Sequence, residues 1–408
     1  MNVTIRPTLL KGGITPPPSK SQTHRAVIAA ALAGGVSTLR NVARSQDIQA
    51  TLDCMTALGA CPESAGQGAV RVHGMGAVIS DWQGLPRFDC GESGSTLRFL
   101  IPVALAAAGG GSFTGRGRLM ERPQQPYFDI FEEKGIFYEQ KDGVLTVKGG
   151  LEPGTFKLPG NVSSQFITGL LYALPLLAGD SEILLTTPLE SEGYVDMTLE
   201  VLGRFGIRVR RQGDCFYIPG GQQYQSRDMD IEADWSQAAF WYAACALGSG
   251  VDIQGMNAFS TQGDMAVVPY CLKLTAPGEV ELDVSQCPDL VPALAAMAAV
   301  RQGTTYIVNA ARLRIKESDR LAAVADVLDR MGADVTEQAE GLTIVGRDGL
   351  AGGVSVDSYN DHRIAMMAAI AATRCAHPVT VVDAGCVAKS YPNFWEDYEA
   401  LGGAITRD

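Results

Sequence analysis

The chain has 408 residues, a formal net charge of -12, nine cysteines and four histidines. This length exceeds that of a typical single domain, so we expect two domains. The acidic balance argues against nucleic-acid binding and against binding to anionic membranes, but it permits a locally basic pocket for a small anion. The cysteines form no C-x-x-C pair, so a zinc site is not expected, and scattered thiols suit a reducing cytoplasm.

The chain begins with a predicted strand, Met1–Arg6, and shows no signal-peptide core there. No apolar run reaches the length of about 18 residues that a membrane helix needs. We therefore expect a soluble, cytoplasmic protein that makes no membrane contact.

A helix pattern recurs six times along the chain. In each case a small or polar capping residue precedes a segment rich in Ala and Leu. The segments are Ser19–Ala33, Glu92–Ala108, Ser163–Ala178, Asp234–Gly248, Gln286–Val300 and Asn360–Thr373. They are apolar on nearly all sides, which predicts that these helices are buried.

A second type of predicted helix stops at a glycine, at Asp47–Leu58, Tyr194–Phe205 and Asp319–Met331. Short strand-like runs such as Val379–Val382 lie between the helices. Each unit is therefore predicted to be β-α-β-α-β-β, and the predicted fold class is α/β, with six such units around buried helices.

Six units divide naturally into two domains of three. The polar stretch Gly220–Asp228 and the proline-rich stretch Gly12–Pro18 are the predicted crossovers. Residues 19–227 are predicted to form an inserted domain. Residues 1–18 and 228–408 are predicted to form the other, which the N-terminal strand completes. Two connections suggest closure over a ligand, with the active site in the cleft between the domains.

Cations stand near the starts of several predicted helices, where they oppose the helix dipole. They are Lys20, Arg25, Arg98, Lys316, Arg320, His362 and Arg363. Any one of them is explained by a salt bridge to a nearby carboxylate. Their recurrence, however, indicates an enzyme that acts on highly anionic small molecules.

Two serines and two acidic residues can each be interpreted in two ways. Ser163 and Ser164 are either a simple helix cap or part of a phosphate cradle. Asp289 and Glu317 are either a cap and a salt-bridge partner or, if the repeats converge on one site, a general acid/base pair.

Seven short motifs span nearly the whole chain. They are Pro18-Ser19-Lys20-Ser21-x-x-x-Arg25, Gly91-x-Ser93-Gly94-x-x-x-Arg98, Glu121-Arg122-Pro123, Ser163-Ser164-Gln165, Arg314-x-Lys316-Glu317-Ser318-Asp319-Arg320, Asn360-Asp361-His362-Arg363 and Lys389-Ser390-Tyr391-Pro392. In this order they resemble the 5-enolpyruvylshikimate-3-phosphate synthase family. The resemblance implies the enolpyruvyl transferase fold, with two domains of three units.

The resemblance also implies an activity in chorismate and aromatic amino-acid biosynthesis. The enolpyruvyl group of phosphoenolpyruvate is expected to move to the 5-hydroxyl of shikimate 3-phosphate, with release of phosphate, through addition and elimination via a tetrahedral intermediate. No metal or organic cofactor and no nucleic acid is implied, and a monomer is expected.

The same resemblance implies roles for individual residues. Those implied to contact shikimate 3-phosphate or to lie near it are Lys20, Ser21, Arg25, Ser163, Ser164, Gln165, Ser191, Tyr194, Asp289 and Lys316. Those implied to meet phosphoenolpyruvate are Lys20, Gly94, Arg122, Arg320, Arg363 and Lys389, with His362 adjacent. Together the two substrates carry about six negative charges, which the seven Lys and Arg residues of these sets could offset.

The reaction needs a proton delivered to the methylene carbon of phosphoenolpyruvate and a proton removed from the acceptor hydroxyl. We hypothesise that Asp289 is the base toward the hydroxyl and Glu317 the acid and base at carbon. Lys20 or Lys389 is expected to share in the proton transfers.

The chain departs from many relatives at Glu92 and Arg312, where Asn is common. Gly94 matches the form that admits glyphosate, so glyphosate sensitivity is expected. A rival activity is that of the sister enolpyruvyl transferase that acts on UDP-N-acetylglucosamine, but its family carries a Cys in the loop that corresponds to Gly115–Pro126, and here that loop has none. An RNA 3′-phosphate cyclase and a non-catalytic anion-binding protein are two further candidates.

Overall fold

The computed structural model describes residues 1–66, 68–76 and 84–408. It divides into two compact units, each with its own hydrophobic core. The inserted unit is Pro18–Glu232, and the discontinuous unit consists of Met1–Pro17 and Ala233–Asp408. The boundaries expected from the sequence fall after residues 18 and 227, whereas the units divide after residues 17 and 232.

The helices and strands are numbered in chain order. The helices are α1 (Lys20–Leu32), α2 (Gln46–Ala57), α3 (Gly94–Ala108), α4 (Gln125–Lys134), α5 (Ser164–Ala173), α6 (Glu192–Arg204), α7 (Trp235–Ala246), α8 (Val267–Thr275), α9 (Val291–Ala298), α10 (Arg320–Arg330), α11 (His362–Ala372) and α12 (Phe394–Ala400). The strands are β1 (Val3–Arg6), β2 (Lys11–Ile14), β3 (Gly34–Arg40), β4 (Cys61–Ser64), β5 (Val70–Met75), β6 (Arg87–Asp89), β7 (Gly110–Thr114), β8 (Phe137–Lys141), β9 (Val144–Lys148), β10 (Thr155–Leu158), β11 (Ser181–Leu185), β12 (Arg210–Gln212), β13 (Cys215–Ile218), β14 (Met229–Asp230), β15 (Gly250–Ile253), β16 (Val280–Asp283), β17 (Thr304–Val308), β18 (Asp334–Gln338), β19 (Gly341–Val345), β20 (Ser355–Asp357), β21 (Val379–Val382) and β22 (Ala404–Arg407).

The four-stranded sheets follow one plan. The inserted unit contains β14-β3-β5-β4, β6-β7-β9-β8 and β10-β11-β13-β12, and the discontinuous unit contains β16-β17-β19-β18 and β20-β21-β1-β22. In each sheet the first pair is parallel and the other pairs are antiparallel. A parallel pair needs a long crossover, and a buried helix such as α3 or α9 supplies it. The predicted α/β fold class is confirmed, but the sixth unit departs from the predicted repeat, because its sheet is the two-stranded parallel pair β2-β15.

Two strands return to a sheet from a distant part of the chain. Strand β1 pairs with β21 and β22, which are strands of the discontinuous unit. Strand β14 pairs with β3, and this pairing places residues 228–232 in the inserted unit, beyond the boundary proposed from the sequence.

The central helices are buried on all sides, as the sequence predicts. Every residue of α11 is buried, and α11 packs on α9 and α7. In the inserted unit, α3 packs on α5 and α1 packs on α6. Alanine suits these positions because close-packed helices leave little room for larger side chains.

Prolines shift two helix boundaries that matter for the site. The predicted helix Ser163–Ala178 ends as α5 at Ala173 and continues as a 3-10 turn over Leu174–Leu176, because Pro175 lacks an N–H donor. The predicted helix Gln286–Val300 starts as a 3-10 turn, Pro288–Leu290, before α9. Asp289 therefore lies in a tight turn that leads into the buried helix.

Among the described residues, no helix combines the length and the apolar character that crossing a membrane requires.

We predict that Ala368→Leu lowers the free energy of unfolding by about 1–3 kcal/mol, because Ala368 is fully buried in α11 and a larger side chain overpacks the core. The matched control is Ala400→Leu at the exposed end of α12, with an expected change within about 0.5 kcal/mol. Chemical denaturation measures both. Equal effects at the two positions would contradict the close packing of α11.

Candidate active site

The start of α1 holds a lysine against a carboxylate. Ser19 caps the helix by accepting a hydrogen bond from the backbone N–H of Gln22. Lys20 Nζ lies 2.7 Å from Asp47 Oδ2, and both side chains are largely buried. The ion pair fixes an ammonium at a helix N-terminus, where backbone N–H groups already favour anions.

Arg25 connects α1 with α6. Its guanidinium donates to Thr198 Oγ1 at 2.8 Å, to the Ser21 carbonyl at 2.8 Å and to the Tyr194 carbonyl at 2.9 Å. Burial lowers the pKa of Arg25 to about 10, which leaves it charged at neutral pH. Because these acceptors are neutral, none of them cancels the charge of Arg25.

Two more helix starts in the inserted unit carry predicted site residues. Ser163 caps α5 by accepting a hydrogen bond from the Gln165 N–H at 3.3 Å, and a contact of this serine with phosphate stays a prediction. Ser164 is buried at the first position of the same helix. Ser191 precedes α6 with φ of 56°, a left-handed conformation that is costly for a residue other than glycine. Such strain often marks a functional site.

Gly94 and Arg122 lie together. Gly94 is the first residue of α3, and Ser93 caps that helix by accepting from the Thr96 N–H at 3.1 Å. A Cβ atom added to Gly94 would lie 2.7 Å from a terminal guanidinium nitrogen of Arg122. The absence of a side chain at Gly94 is therefore what lets Arg122 pack against the helix start.

A buried ion pair organises the discontinuous unit. Arg320 Nε lies 2.9 Å from Asp361 Oδ2, and the two side chains are 1% and 0% exposed. Asp361 also accepts from the Ser318 hydroxyl at 3.0 Å and caps α11 by accepting from the Arg363 N–H at 3.0 Å. Asp361 belongs to one of the sequence motifs but not to the predicted site residues. Its position one residue before a buried His-Arg pair was the available signal.

Arg320 holds two further carboxylates, those of both proposed proton carriers. Its guanidinium lies 3.0 Å from Asp289 Oδ1 and 2.5 Å from Glu317 Oε2. Burial would lower the pKa of Arg320, but Asp361, Glu317 and Asp289 together raise it above its usual range. From the sequence, Arg320 could either pair with a carboxylate of the protein or bind an anionic ligand. In this structure it pairs with carboxylates.

Asp289 is surrounded by cations. It lies 3.1 Å from Arg363, 3.0 Å from Arg320 and 3.5 Å from Lys316. Burial would raise the pKa of the Asp289 carboxyl, but the charges of Arg363, Lys316 and Arg320 outweigh it and hold that pKa well below its usual range. Asp289 is therefore ionised and only weakly basic in this state.

Lys316 and Glu317 lie before α10, because that helix begins at Arg320 with Asp319 as its cap. Burial lowers the pKa of the Lys316 ammonium, and Asp289 offsets part of this effect. Arg312, in the 3-10 turn Ala311–Ile315, donates to the Ser285 carbonyl.

The remaining predicted residues of this unit lie close to the ends of its helices. His362 is buried at the start of α11, with Nδ1 at 4.0 Å from Asp361 Oδ1. Arg363 also donates to the Ser236 hydroxyl at 2.8 Å, a contact that the sequence did not predict. Lys389 is buried and donates to the Asn360 carbonyl at 2.7 Å.

Comparison with known proteins agrees with the fold and the motifs. A family model described as EPSP synthase (3-phosphoshikimate 1-carboxyvinyltransferase) matches residues 5–276 and 274–398. Two curated relatives called 3-phosphoshikimate 1-carboxyvinyltransferase are similar over almost their whole length. The protein from Clostridium kluyveri is 46% identical, with 99% of this chain and 98% of the relative covered. The protein from Clostridium acetobutylicum is 45% identical with the same coverage.

Solved structures give the same result. An EPSP synthase from Acinetobacter baumannii matches with a TM-score of 0.82 and 26% identity, and all of both chains is covered. The enolpyruvyl transferase NikO from Streptomyces tendae matches with a TM-score of 0.79, with 99% and 98% of the two chains covered. Its 18% identity supports the fold alone.

We predict that Asp289→Asn lowers the free energy of unfolding at pH 7 by about 3 kcal/mol, because three cations lose the carboxylate among them. The folded-state pKa is depressed, so Asp289 contributes its full stability above the unfolded pKa of about 3.9 and loses it as the pH falls below that value. The difference between wild type and variant should therefore shrink below about pH 4.

Chemical denaturation over this pH range measures the difference. Asp329→Asn, at an exposed position of α10, is the matched control and should show no such dependence. A wild-type–variant difference that stays constant from pH 7 to acid would contradict the depressed pKa of Asp289.

Proposed function

We infer that the residues of this chain carry out the reaction of the EPSP synthase family, the 3-phosphoshikimate 1-carboxyvinyltransferases, to which the chain belongs. It transfers the enolpyruvyl group of phosphoenolpyruvate to the 5-hydroxyl of shikimate 3-phosphate and releases phosphate, a step of the shikimate pathway. The observation that carries this conclusion is the match over 99% of the chain at 46% identity.

The inserted unit is proposed to supply groups for both substrates. Lys20, Ser21 and Arg25 at the start of α1 would hold shikimate 3-phosphate, and Lys20 would also contact phosphoenolpyruvate. The further residues proposed for shikimate 3-phosphate are Ser163, Ser164, Gln165, Ser191 and Tyr194. The N-terminus of α3 at Gly94, with the Arg122 guanidinium beside it, supports a proposed contact to phosphoenolpyruvate, because a helix start and a cation both favour an anion.

The discontinuous unit is proposed to supply cations and the proton carriers. Arg320, Arg363 and Lys389 would contact phosphoenolpyruvate, with His362 adjacent, and Lys316 would lie near shikimate 3-phosphate. Three cations and three carboxylates of this cluster balance in charge: Lys316, Arg320 and Arg363 against Asp289, Glu317 and Asp361. An incoming anion must therefore compete with a carboxylate for each arginine.

This competition supports the assignment of Asp289 and Glu317. Anions bound at Arg363 and Lys316 would weaken the field that depresses the pKa of Asp289, so that pKa would rise and Asp289 would become a stronger base. An anion bound at Arg320 would likewise weaken the ion pair between Arg320 and Glu317, in which a carboxylate oxygen lies 2.5 Å from the guanidinium. Substrate binding would thus prepare both carboxylates for proton transfer.

The proposed reaction has two steps. In the addition, Glu317 gives a proton to the methylene carbon of phosphoenolpyruvate, the 5-hydroxyl oxygen bonds to the neighbouring carbon, and Asp289 takes the hydroxyl proton. In the elimination, Glu317 takes a proton back from the methyl carbon while the carbon–oxygen bond to phosphate breaks, and the proton held by Asp289 passes to the departing phosphate. Lys20 and Lys389 would stabilise the departing phosphate and share the proton transfers. We also propose that the protein is a cytoplasmic monomer.

The acceptor can be tested directly by measuring phosphate release from phosphoenolpyruvate with shikimate 3-phosphate or with UDP-N-acetylglucosamine. We expect release with shikimate 3-phosphate alone. Release with the UDP-sugar alone would contradict the proposed acceptor, and absence of release with both would favour a binding protein.

We predict that Asp289→Asn and Glu317→Gln each lower kcat by about 100-fold or more, the usual range for a lost general acid or base. Dissociation constants for both substrates should change much less than kcat. Asp329→Asn is again the control, and turnover of either site variant near the wild-type value would show that the carboxyl carries no proton.

We further propose that glyphosate inhibits the wild type, and we predict that Gly94→Ala weakens the inhibition. The new Cβ would displace the Arg122 guanidinium, so KM for phosphoenolpyruvate should rise about tenfold, in keeping with the usual cost of a steric overlap. Gly203→Ala in α6 is the matched control, because its added Cβ meets no atom within 4 Å. Wild-type activity that is unaffected by millimolar glyphosate would contradict the proposal.

A further inference from the structure

Arg98 is a buried arginine of α3 that has no place among the proposed substrate contacts. Its side chain is 2% exposed. The guanidinium donates to Gln165 Oε1 at 2.9 Å, to the Pro123 carbonyl at 2.9 Å and to Gln124 Oε1 at 3.4 Å. The guanidinium carbon lies 4.6 Å from the centre of the Phe166 ring. One side chain therefore joins α3, α5 and the segment that follows Arg122.

The contact with Gln165 sets the orientation of its amide. A guanidinium only donates hydrogen bonds, so the oxygen of the amide has to face Arg98. The amide nitrogen then faces the other way, and it donates to Ser95 Oγ at 3.0 Å. An NH₂ group has two donors, and Ser95 is its one acceptor within residues 1–66, 68–76 and 84–408, so the second N–H is available to a ligand. A flipped amide would present an oxygen, which repels an anion.

The other two contacts hold the segment that carries Arg122. Arg98 binds the Pro123 carbonyl and the Gln124 side chain, and Gln124 Nε2 donates back to the Arg122 carbonyl at 3.2 Å. Arg122 packs against Gly94, which lies one helical turn before Arg98. Arg98 thus fixes both the helix face against which Arg122 packs and the backbone that presents Arg122.

We propose that Arg98 is a positioning residue for the reaction, which fixes the donor side of the Gln165 amide and the direction of Arg122. The proposal rests on the proposed roles of Gln165 and Arg122 in substrate binding. Lysine cannot replace it, because three acceptors in different directions match the planar fork of a guanidinium and not a single ammonium.

The test is chemical rescue of Arg98→Ala. We expect KM for both substrates to rise at least tenfold, and guanidinium chloride at low millimolar concentration to restore much of the loss, because free guanidinium fits the vacated space and its acceptors. Sodium chloride at the same concentration should restore nothing. Arg98→Lys keeps the charge and should show most of the same rise in KM.

Arg301→Ala in the discontinuous unit is the matched control. Arg301 is also buried and also donates to neutral oxygens, at the carbonyls of Leu274 and Thr304 and at Thr305 Oγ1. Its removal should lower the midpoint of thermal unfolding but leave KM unchanged. If Arg98→Ala behaved in the same way, Arg98 would be merely structural and the proposal would be overturned.

The variant Gln165→Glu distinguishes a failure of the positioning role of Arg98 from a failure of the proposed binding role of Gln165. The carboxylate keeps an acceptor for Arg98 but loses the donor N–H, so KM should rise although Arg98 keeps its partner. A rise for Gln165→Glu without one for Arg98→Ala or Arg98→Lys would overturn the positioning role alone. Unchanged KM in Gln165→Glu would overturn the binding role of Gln165 and the positioning role that depends on it.

Discussion

The ion pair between Arg320 and Asp361 is the contact on which the buried charged cluster around Asp289 and Glu317 depends. An isolated charge in a protein interior costs several kcal/mol, so each of these two side chains needs the other in order to stay buried. With Arg320 fixed in this way, its outer nitrogens reach Asp289 and Glu317, and Asp361 at the same time caps the helix that carries Arg363. The positions of the two proposed carboxylate proton carriers, Asp289 and Glu317, thus follow from one buried pair.

The buried arginines Arg320 and Arg25, one in each unit, are held by different kinds of acceptor. In the discontinuous unit Arg320 and Arg363 lie against carboxylates, so the charges of this cluster balance. In the inserted unit Arg25 donates to carbonyl and hydroxyl oxygens, which orient it but leave its charge in place. In the discontinuous unit, the proton affinity of the carboxylates paired with Arg320 and Arg363 therefore depends on whether anions are bound. In the inserted unit, the uncancelled charge of Arg25 attracts phosphate at all times.

Much of the fold could be predicted from the sequence because its signals are local. Capping residues such as Ser19 and Asp234, followed by alanine-rich segments, mark the buried helices within a few residues. The strand expected at the N-terminus is present as β1, and it pairs with β21 of the discontinuous unit. Boundaries at Pro175 and Pro288 were less certain, because a proline can end a helix or begin one.

The candidate site was predictable as a set of residues but not as a set of contacts. The motifs named Arg320 and Asp361, and Asp289 was named with them, yet the two carboxylates lie 31 and 41 residues from Arg320 along the chain, and no local pattern shows such pairings. Arg98 was identified only as a cation in a helix, because its hydrogen bonds to the Pro123 carbonyl and to the side-chain amides of Gln124 and Gln165 leave no recognisable pattern in the sequence. The left-handed backbone of Ser191 has no sequence signature.

The position of β1 has a consequence for synthesis of the chain. The two ends of the inserted unit are joined by a hydrogen bond from the Ser19 N–H to the Glu232 carbonyl. Because the unit ends at Glu232, all of it has been translated once residue 232 is added. Strand β1 leaves the ribosome long before its partners β21 and β22. At about 5–20 residues per second, Val3 waits roughly 20 to 75 s for Val381. Throughout that time the nascent chain carries Val3 and Ile5, which are buried in the folded unit, on a strand without its sheet, beside an inserted unit that is free to fold.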